Sequence, residues 1–147
     1  MRARDHGFTL IEILVVLAIM GAVIGIVVMR GPITSRGLQT RAAAGLLAQT
    51  LRQARAAAIE RGRIVNVAID PVRRNFATDG GPIHSMAPDV EVAVLPPALK
   101  GPGDVRVISF SPDGSASGGA ILLGSATRRV QIGVEWLTGR VQVANAP

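Results

Sequence analysis

Gly7-Phe8-Thr9-Leu10-Ile11-Glu12 opens an apolar run that continues unbroken to Met29. Of the 22 residues from Phe8 to Met29, all but Thr9 and Glu12 are apolar or glycine. A helix of that length is about 33 Å long, enough to cross a hydrocarbon core of about 30 Å. Glu12 is the anomaly. An acidic side chain at the centre of a membrane helix costs roughly 2.5–3.5 kcal/mol on insertion scales, and less near an end. A bare anchor has no need of it, so the carboxylate implies a task.

Outward from this run, residues 1–7 form a short polar leader with Arg2 and Arg4, similar to the n-region of a secretory signal. The apolar run exceeds the roughly 7–15 residues of an ordinary h-region, and no Ala-x-Ala site follows it. Arg30, Arg36 and Arg41 on the far side oppose Arg2 and Arg4, so charge balance leaves the orientation open. The chain has 147 residues, and the part beyond Met29 suffices for one compact domain but not two. Cysteine is absent, so packing alone must hold that domain. The formal charge is +6, and all the basic residues except Lys100 are Arg. That bias points only weakly to a nucleic-acid or anionic-surface partner.

Arg30-Gly31-Pro32 interrupts the helical pattern and favours a kink, after which Thr34 or Ser35 can cap a second helical segment. From Arg36 to Arg61 the apolar spacing is helical, with Ala44, Leu47, Leu51, Ala54 and Ala58 in one stripe. Arg41, Arg52 and Arg55 lie off that stripe and read as a solvated face. Gly62 suits the residue that ends the helix. The period then changes to two, with strands expected from Ile64 or Val65 to Ile69, around Asn75–Thr78, over Val90–Val94 and over Val105–Phe110. Three closing strands are expected near Ala120–Leu123, Arg129–Val134 and Arg140–Val143. Loops are expected over Thr78–Asp89, Lys100–Asp104 and Ser111–Gly119, with strong turn signals at Pro112-Asp113-Gly114 and Thr138-Gly139. The expected class is α+β: a long N-terminal hydrophobic helix, kinked near Gly31-Pro32, packed on an antiparallel β-sheet domain. Its expected divisions are a leader at 1–7, a transmembrane helix at 8–29, its amphipathic continuation at 30–62 and a β-rich domain at 63–147.

Enzyme chemistry finds no foothold in this pattern. His6 and His84 lie far apart, and there is no cysteine nucleophile, HExxH, P-loop or dinucleotide fingerprint. Gly114-Ser115-Ala116-Ser117-Gly118 places Ala116 where a nucleophile elbow needs Ser. Asp79, Asp89 and Glu91 lack the alternating spacing of a calcium loop and read as solvated surface. No catalytic, metal or cofactor residues are assigned. Trp136, beside a turn, reads as a core or edge packing residue. Arg73-Arg74 and Arg128-Arg129 are the best candidates for a basic contact surface, but they lack the aromatic interleaving of a nucleic-acid site.

The leader ending in Gly7, then Phe8-Thr9-Leu10-Ile11-Glu12 and about twenty apolar residues, closely resembles the class III signal of type IV pilins and type II secretion pseudopilins. The resemblance implies cleavage after Gly7 by a prepilin peptidase, N-methylation of Phe8 and a retained helix in which Glu12 is the fifth mature residue. A costly carboxylate in lipid seeks a cation, and the new amine of Phe8, on the same or a neighbouring chain, is the one to hand. Farther on, Phe110-x-Pro112-Asp113-Gly114, Gly118-Gly119, Arg128-Arg129-Val130 and Gly139-Arg140-Val141 look like the C-terminal half of GspH/FimT-type minor pseudopilins. That implies a non-enzymatic subunit at or near the tip of a pseudopilus that drives export of folded exoproteins. The subunit would be single-pass in the bacterial inner membrane, with its C-terminal domain in the periplasm. Implied partners are other minor and major pseudopilins, the prepilin peptidase, the inner-membrane secretion platform, inner-membrane lipid and exoprotein cargo. The loops Thr78–Asp89 and Ser111–Gly119 are the natural contact surfaces. The alternative is a FimT-like minor pilin of a type IV pilus, acting in DNA uptake or pilus assembly, with Arg128, Arg129 and Arg140 as its contact surface; nucleic acid is the less favoured partner. A plain membrane-anchored periplasmic domain is the third reading.

Overall fold

The computed structural model describes residues 9–29, 36–125 and 128–146. The expected kink at Gly31-Pro32 lies outside the described residues, as do Gly7 and Phe8. The chain divides into two compact units, Met1–Thr34 and Ser35–Pro147.

The first unit contains α1, Leu10–Met29. Thr9 caps it: the Glu12 amide lies 3.3 Å from the Thr9 hydroxyl and donates to the Thr9 carbonyl at 3.0 Å. Glu12 sits in the first turn, where a carboxylate faces the positive end of the helix dipole. The large aliphatic side chains described along α1 are all exposed, from Val15 at 48% to Leu10 at 83%. A helix that is apolar all round is built for an apolar surrounding. Among the described residues, no helix is long and apolar enough to cross a membrane. The backbone of α1 continues to Met29, giving 20 residues and a length of about 30 Å.

The second unit is built around α2, Arg36–Arg61. Its buried stripe comprises Ala44, Leu47, Ala48, Leu51, Ala54 and Ala58, with Leu47, Leu51 and Ala58 at 0% exposure. The four alanines let the helix approach closely, and the two leucines fill the space between its neighbours. Thr50, also buried, spends its hydroxyl on the Leu46 carbonyl one turn back, at 3.0 Å. Gly62, at φ +60°, ends the helix in the left-handed conformation that costs glycine least.

Among the described residues nine strands follow: β1 Val65–Asp70, β2 Asn75–Thr78, β3 His84–Ser85, β4 Glu91–Leu95, β5 Leu99–Lys100, β6 Arg106–Phe110, β7 Gly119–Ser125, β8 Arg128–Val134 and β9 Val141–Ala146. They form two antiparallel sheets rather than one, ordered β3-β2-β1-β6-β5 and β4-β7-β8-β9. The period-two residues of β1 face inward: Val65 pairs with Phe110, Val67 with Ile108 and Ile69 with Phe76, all buried. In the second sheet Ile121 pairs with Ile132 and Leu123 with Val130, again buried. α2 packs on strands of both sheets, so one core joins helix and sheets.

The expected loops conceal two short strands. β3 lies within Thr78–Asp89 and pairs with β2, where His84 stacks on Phe76 with ring centroids 5.2 Å apart. β5 begins just after Pro96-Pro97 and pairs with β6. Two-residue strands carry no alternation, so periodicity cannot reveal them. Trp136 is neither core nor packed edge: it is 64% exposed at the turn between β8 and β9.

Leu51→Ala should lower the unfolding free energy of the full chain by about 2–5 kcal/mol, because a buried leucine leaves a cavity under both sheets. Leu46→Ala, at a side chain already 41% exposed, should change it by about 0.5 kcal/mol or less. Urea midpoints measured on the two variants check the contrast, and equal shifts would contradict this placement of α2.

Candidate interaction site

The basic residues off the α2 stripe are not simply solvated. Arg52 and Arg55 sit at i and i+3 on one face of the helix. Arg55 Nε donates to the Gly114 carbonyl at 3.1 Å, and Arg52 Nη2 donates to the Val141 carbonyl at 3.3 Å. Each guanidinium therefore ties α2 to the sheet region, one at the turn after β6 and one at the start of β9. Arg41 remains exposed.

Two glycine turns meet beneath Arg55. In the first, the Gly114 amide donates to the Ser111 carbonyl at 2.9 Å, with Gly114 at φ +84°. Asp113 Oδ1 accepts from the Ser115 hydroxyl at 2.6 Å and the Ser115 amide at 3.0 Å. These two bonds, the side-chain one first, hold the Asp113 carboxyl below its usual range. In the second turn, the Gly139 amide donates to the Glu135 carbonyl at 2.8 Å and the Glu135 amide to the Arg140 carbonyl at 3.0 Å. Thr138 donates its hydroxyl to Glu135 Oε2 at 2.7 Å and accepts from the Arg140 amide at 3.2 Å. Gly139 has φ +61°, and a Cβ there would collide with the Gly114 carbonyl oxygen and stand 3.0 Å from Arg55 Cδ and Nε. No larger residue fits without moving one of the three.

The result is a groove of about 590 Å³ between α2 and the β8–β9 turn, walled by Arg52, Arg55, Glu135 and Arg140 with Gly139 at its side. Glu135 and Arg140 also border a second hollow, of about 520 Å³, with Gln131, Gly133 and Gln142. The spacing of Arg52 and Arg55 hinted at a shared face, but only the fold brings Arg140 opposite them.

The other residues singled out from the sequence fall elsewhere. Arg129 pairs across β9 with Ala146, whereas Arg140 immediately precedes Val141, the partner of Val134. The two thus lie at opposite ends of one ladder, roughly 20 Å apart at 3.4 Å per residue, and they do not make one patch. Arg129 and Glu91 instead flank Gly124 in one row of the second sheet, beside a hollow of about 190 Å³. The side chain of Arg128 is outside the described set. Asp79 is occupied in binding the Asn66 amide at 3.2 Å and its side chain at 2.8 Å. Ser117 Oγ accepts from the Ser109 amide at 3.2 Å, a bracing role within the fold.

Gly139→Ala should destabilise the chain by about 1–3 kcal/mol, through both the positive φ and the collision with Gly114; a thermal midpoint equal to wild type would refute the convergence of the two turns. Asp113 supplies a pH test. Its folded value lies below the unfolded one, so its stabilisation is complete above the usual value of 3.8 and is lost as the pH falls through the lowered value. The stability difference between wild type and Asp113→Asn should therefore shrink on acidification through that window, measured by denaturant titration at stepped pH.

Two family models match the chain: the prokaryotic N-terminal methylation motif over residues 2–28 and type II transport protein GspH over residues 43–138. The type II secretion system protein H of Xanthomonas campestris pv. campestris is 30% identical over 144 residues, covering 96% of this chain and 84% of that protein. Among solved structures, the minor pseudopilin EpsH from the type 2 secretion system of Vibrio cholerae is similar with a TM-score of 0.59 at 13% identity, over 73% of this chain and 97% of that one. The type IV minor pilin FimU of Pseudomonas aeruginosa is similar with a TM-score of 0.58 at 16% identity, over 77% of this chain and 92% of that one. At such identities the structural likenesses establish a pilin-like α+β fold, which pilus and secretion proteins share; the GspH match and the protein H relative separate the two. The chain belongs to the GspH family of type II transport proteins and is a minor pseudopilin of type II secretion.

Proposed function

We propose that this minor pseudopilin is cut after Gly7, methylated on the new amine of Phe8, and drawn into a pseudopilus by pairing of Glu12 with that amine on a neighbouring subunit. The observation that carries the reading is the placement of Glu12, a lone carboxylate in the first turn of a helix whose large side chains are apolar and exposed. In lipid such a carboxylate is costly, and so is an unpaired ammonium; bringing them together relieves both. Without the cut the amine does not exist, and the charged leader stays attached. The methylation motif matched over residues 2–28 supports the same processing.

In this reading α1 anchors the chain in the inner membrane and the unit Ser35–Pro147 stands in the periplasm. The subunit joins other minor and major pseudopilins at or near the tip, after meeting the prepilin peptidase and the inner-membrane platform. Exoprotein cargo is pushed by the growing filament. The role is structural, with the driving energy supplied by other parts of the machine.

Glu12→Ala should leave the chain in the membrane while reducing its recovery in sheared pseudopili by about tenfold, the effect expected when about 1.4 kcal/mol of pairing is lost. Recovery equal to wild type would remove the pairing. Mass spectrometry of the purified chain should find an N-terminus at Phe8 carrying one added methyl group, and a mature chain still beginning at Met1 would remove the processing.

A further inference from the structure

We propose that the end of the second unit bearing the β1–β2 turn rests on anionic phospholipid headgroups, through Arg73, Arg74, Lys100 and Arg106. The inference rests on the reading of α1 as a membrane anchor and adds a second contact with the same bilayer.

Topology gathers the four cations. Arg73 and Arg74 lie in the turn between β1 and β2. At the same end of the sheet Ile69 of β1 pairs with Arg106 of β6, and Arg106 with Lys100 of β5. β2, β1, β6 and β5 are consecutive neighbours, so their backbones fit within three strand spacings, about 15 Å. The Arg106 guanidinium folds onto this end, 3.4 Å from the Asp104 carbonyl and 3.3 Å from that of Val105. Like charges on facing residues, as at Lys100 and Arg106, disfavour their pairing until an anion is near. Asp70 is already engaged, accepting from the Val72 and Arg73 amides at 3.0 and 2.8 Å and lying 3.4 Å from Arg73 Nη1. Asp104, exposed in the loop before β6, and Asp89 are the other carboxylates at this end.

Arg74 is held at φ +51°, a left-handed conformation that asparagine or glycine adopts at less cost. Its carbonyl accepts from the Met86 amide at 2.8 Å, while its exposed guanidinium meets no partner among the described residues. A strained position that keeps a long, unpaired cation implies a use for that cation outside the chain. Arg73 beside it is 79% exposed and Val72 67%, so an apolar side chain stands at the tip among cations. Cations around an apolar tip are the composition of an interfacial membrane contact. Single nucleic-acid strands need exposed aromatic platforms instead, and Phe76, just beyond the turn, is buried.

The place of this end in the fold selects the bilayer. Met86, bonded to Arg74, is three residues from Asp89, whose carboxylate faces the Gln39 carboxamide at 2.9 Å. Three residues span about 11 Å at most, and Gln39 is in the first turn of α2, so the basic end lies at the start of that helix. Only six residues separate Met29, the end of α1, from Arg36, the start of α2. With α1 in the bilayer, the chain thus enters the second unit at its basic end, where anionic headgroups attract each cation.

The chain has no cysteine, so one introduced cysteine carries a unique fluorophore. Full-length Val72→Cys is labelled and reconstituted in vesicles of phosphatidylcholine, alone or with phosphatidylglycerol, containing a headgroup spin-labelled lipid as quencher. Quenching should be about threefold or more stronger in the anionic vesicles and should fall towards the neutral level in high salt. The same label at Gln142, on β9 of the other sheet, should show no such dependence. Adding Arg73→Gln with Arg74→Asn should abolish most of the gain; asparagine tolerates the positive φ, so the thermal midpoint should hold. Arg73→Lys with Arg74→Lys should retain the gain, because headgroup attraction reads charge rather than the guanidinium fork. A label at Leu17→Cys, quenched by acyl-chain spin labels, reports the insertion of α1 separately. Quenching at Leu17 with none at Val72, or quenching at Val72 that ignores lipid charge or the Arg substitutions, would overturn this inference and leave the anchor standing. Absence of quenching at Leu17 would overturn both. Arg74-dependent binding of duplex DNA or of a protein, in place of the lipid dependence, would also overturn it.

Discussion

Burial of one face of α2 against two sheets is the constraint on which the second unit depends. Each sheet has a single apolar inner face, and strands of both meet the same helix. Leu47 and Leu51 are completely enclosed there, each contributing about 1.5–3 kcal/mol relative to an exposed side chain. The alanines of the stripe have the complementary role: they add little area but permit the approach that seals the leucines from water. With no cysteine in the chain, this packing has no covalent substitute. The strongly basic remainder of α2 is left free for other contacts.

That freedom is used at Arg52 and Arg55. Each places a charge against a backbone carbonyl, and each carbonyl belongs to a segment far away in sequence. The turn at Gly114 and the turn at Gly139 are thus held against one another and against α2. A positive φ at both glycines is what allows the chain to come so close. The same geometry sets the backbone of both turns beside Arg52 and Arg55 at the groove. The hairpin tip, with Trp136 and Leu137 exposed, is rigid for the same reason.

The first unit follows a different rule. α1 carries no amphipathic face, so no single neighbouring surface could bury it, and its apolar side chains need an apolar surrounding on every side. Glu12 stands at its first turn, where the helix dipole favours a negative charge.

Local pattern was enough to read the elements whose signals are local. The α2 stripe, its end at Gly62, the alternating strands and the two glycine turns follow from side-chain periodicity and backbone sterics; the N-terminal motif pointed to the pilin and pseudopilin class, and the motifs from Phe110 to Val141 to the family. Two-residue strands β3 and β5 left no mark, because pairing at that length is imposed by neighbours rather than by alternation. The division into two sheets was equally hidden, since β4 finds its partner β7 across intervening β5 and β6. Trp136 was misread because a large aromatic is usually buried, yet here the turn carries it outward. Arg52 and Arg55 looked like ordinary surface charges until the fold set carbonyls beneath them. Arg129 and Arg140, close in sequence and alike in chemistry, were separated by the length of a hairpin. Sequence by itself determined the helices, most strands, the turns and the family, because those depend on neighbours along the chain. The tertiary structure alone decided which charges share a site, because the register of β8 with β9 and the seating of α2 over both sheets are properties of the whole core.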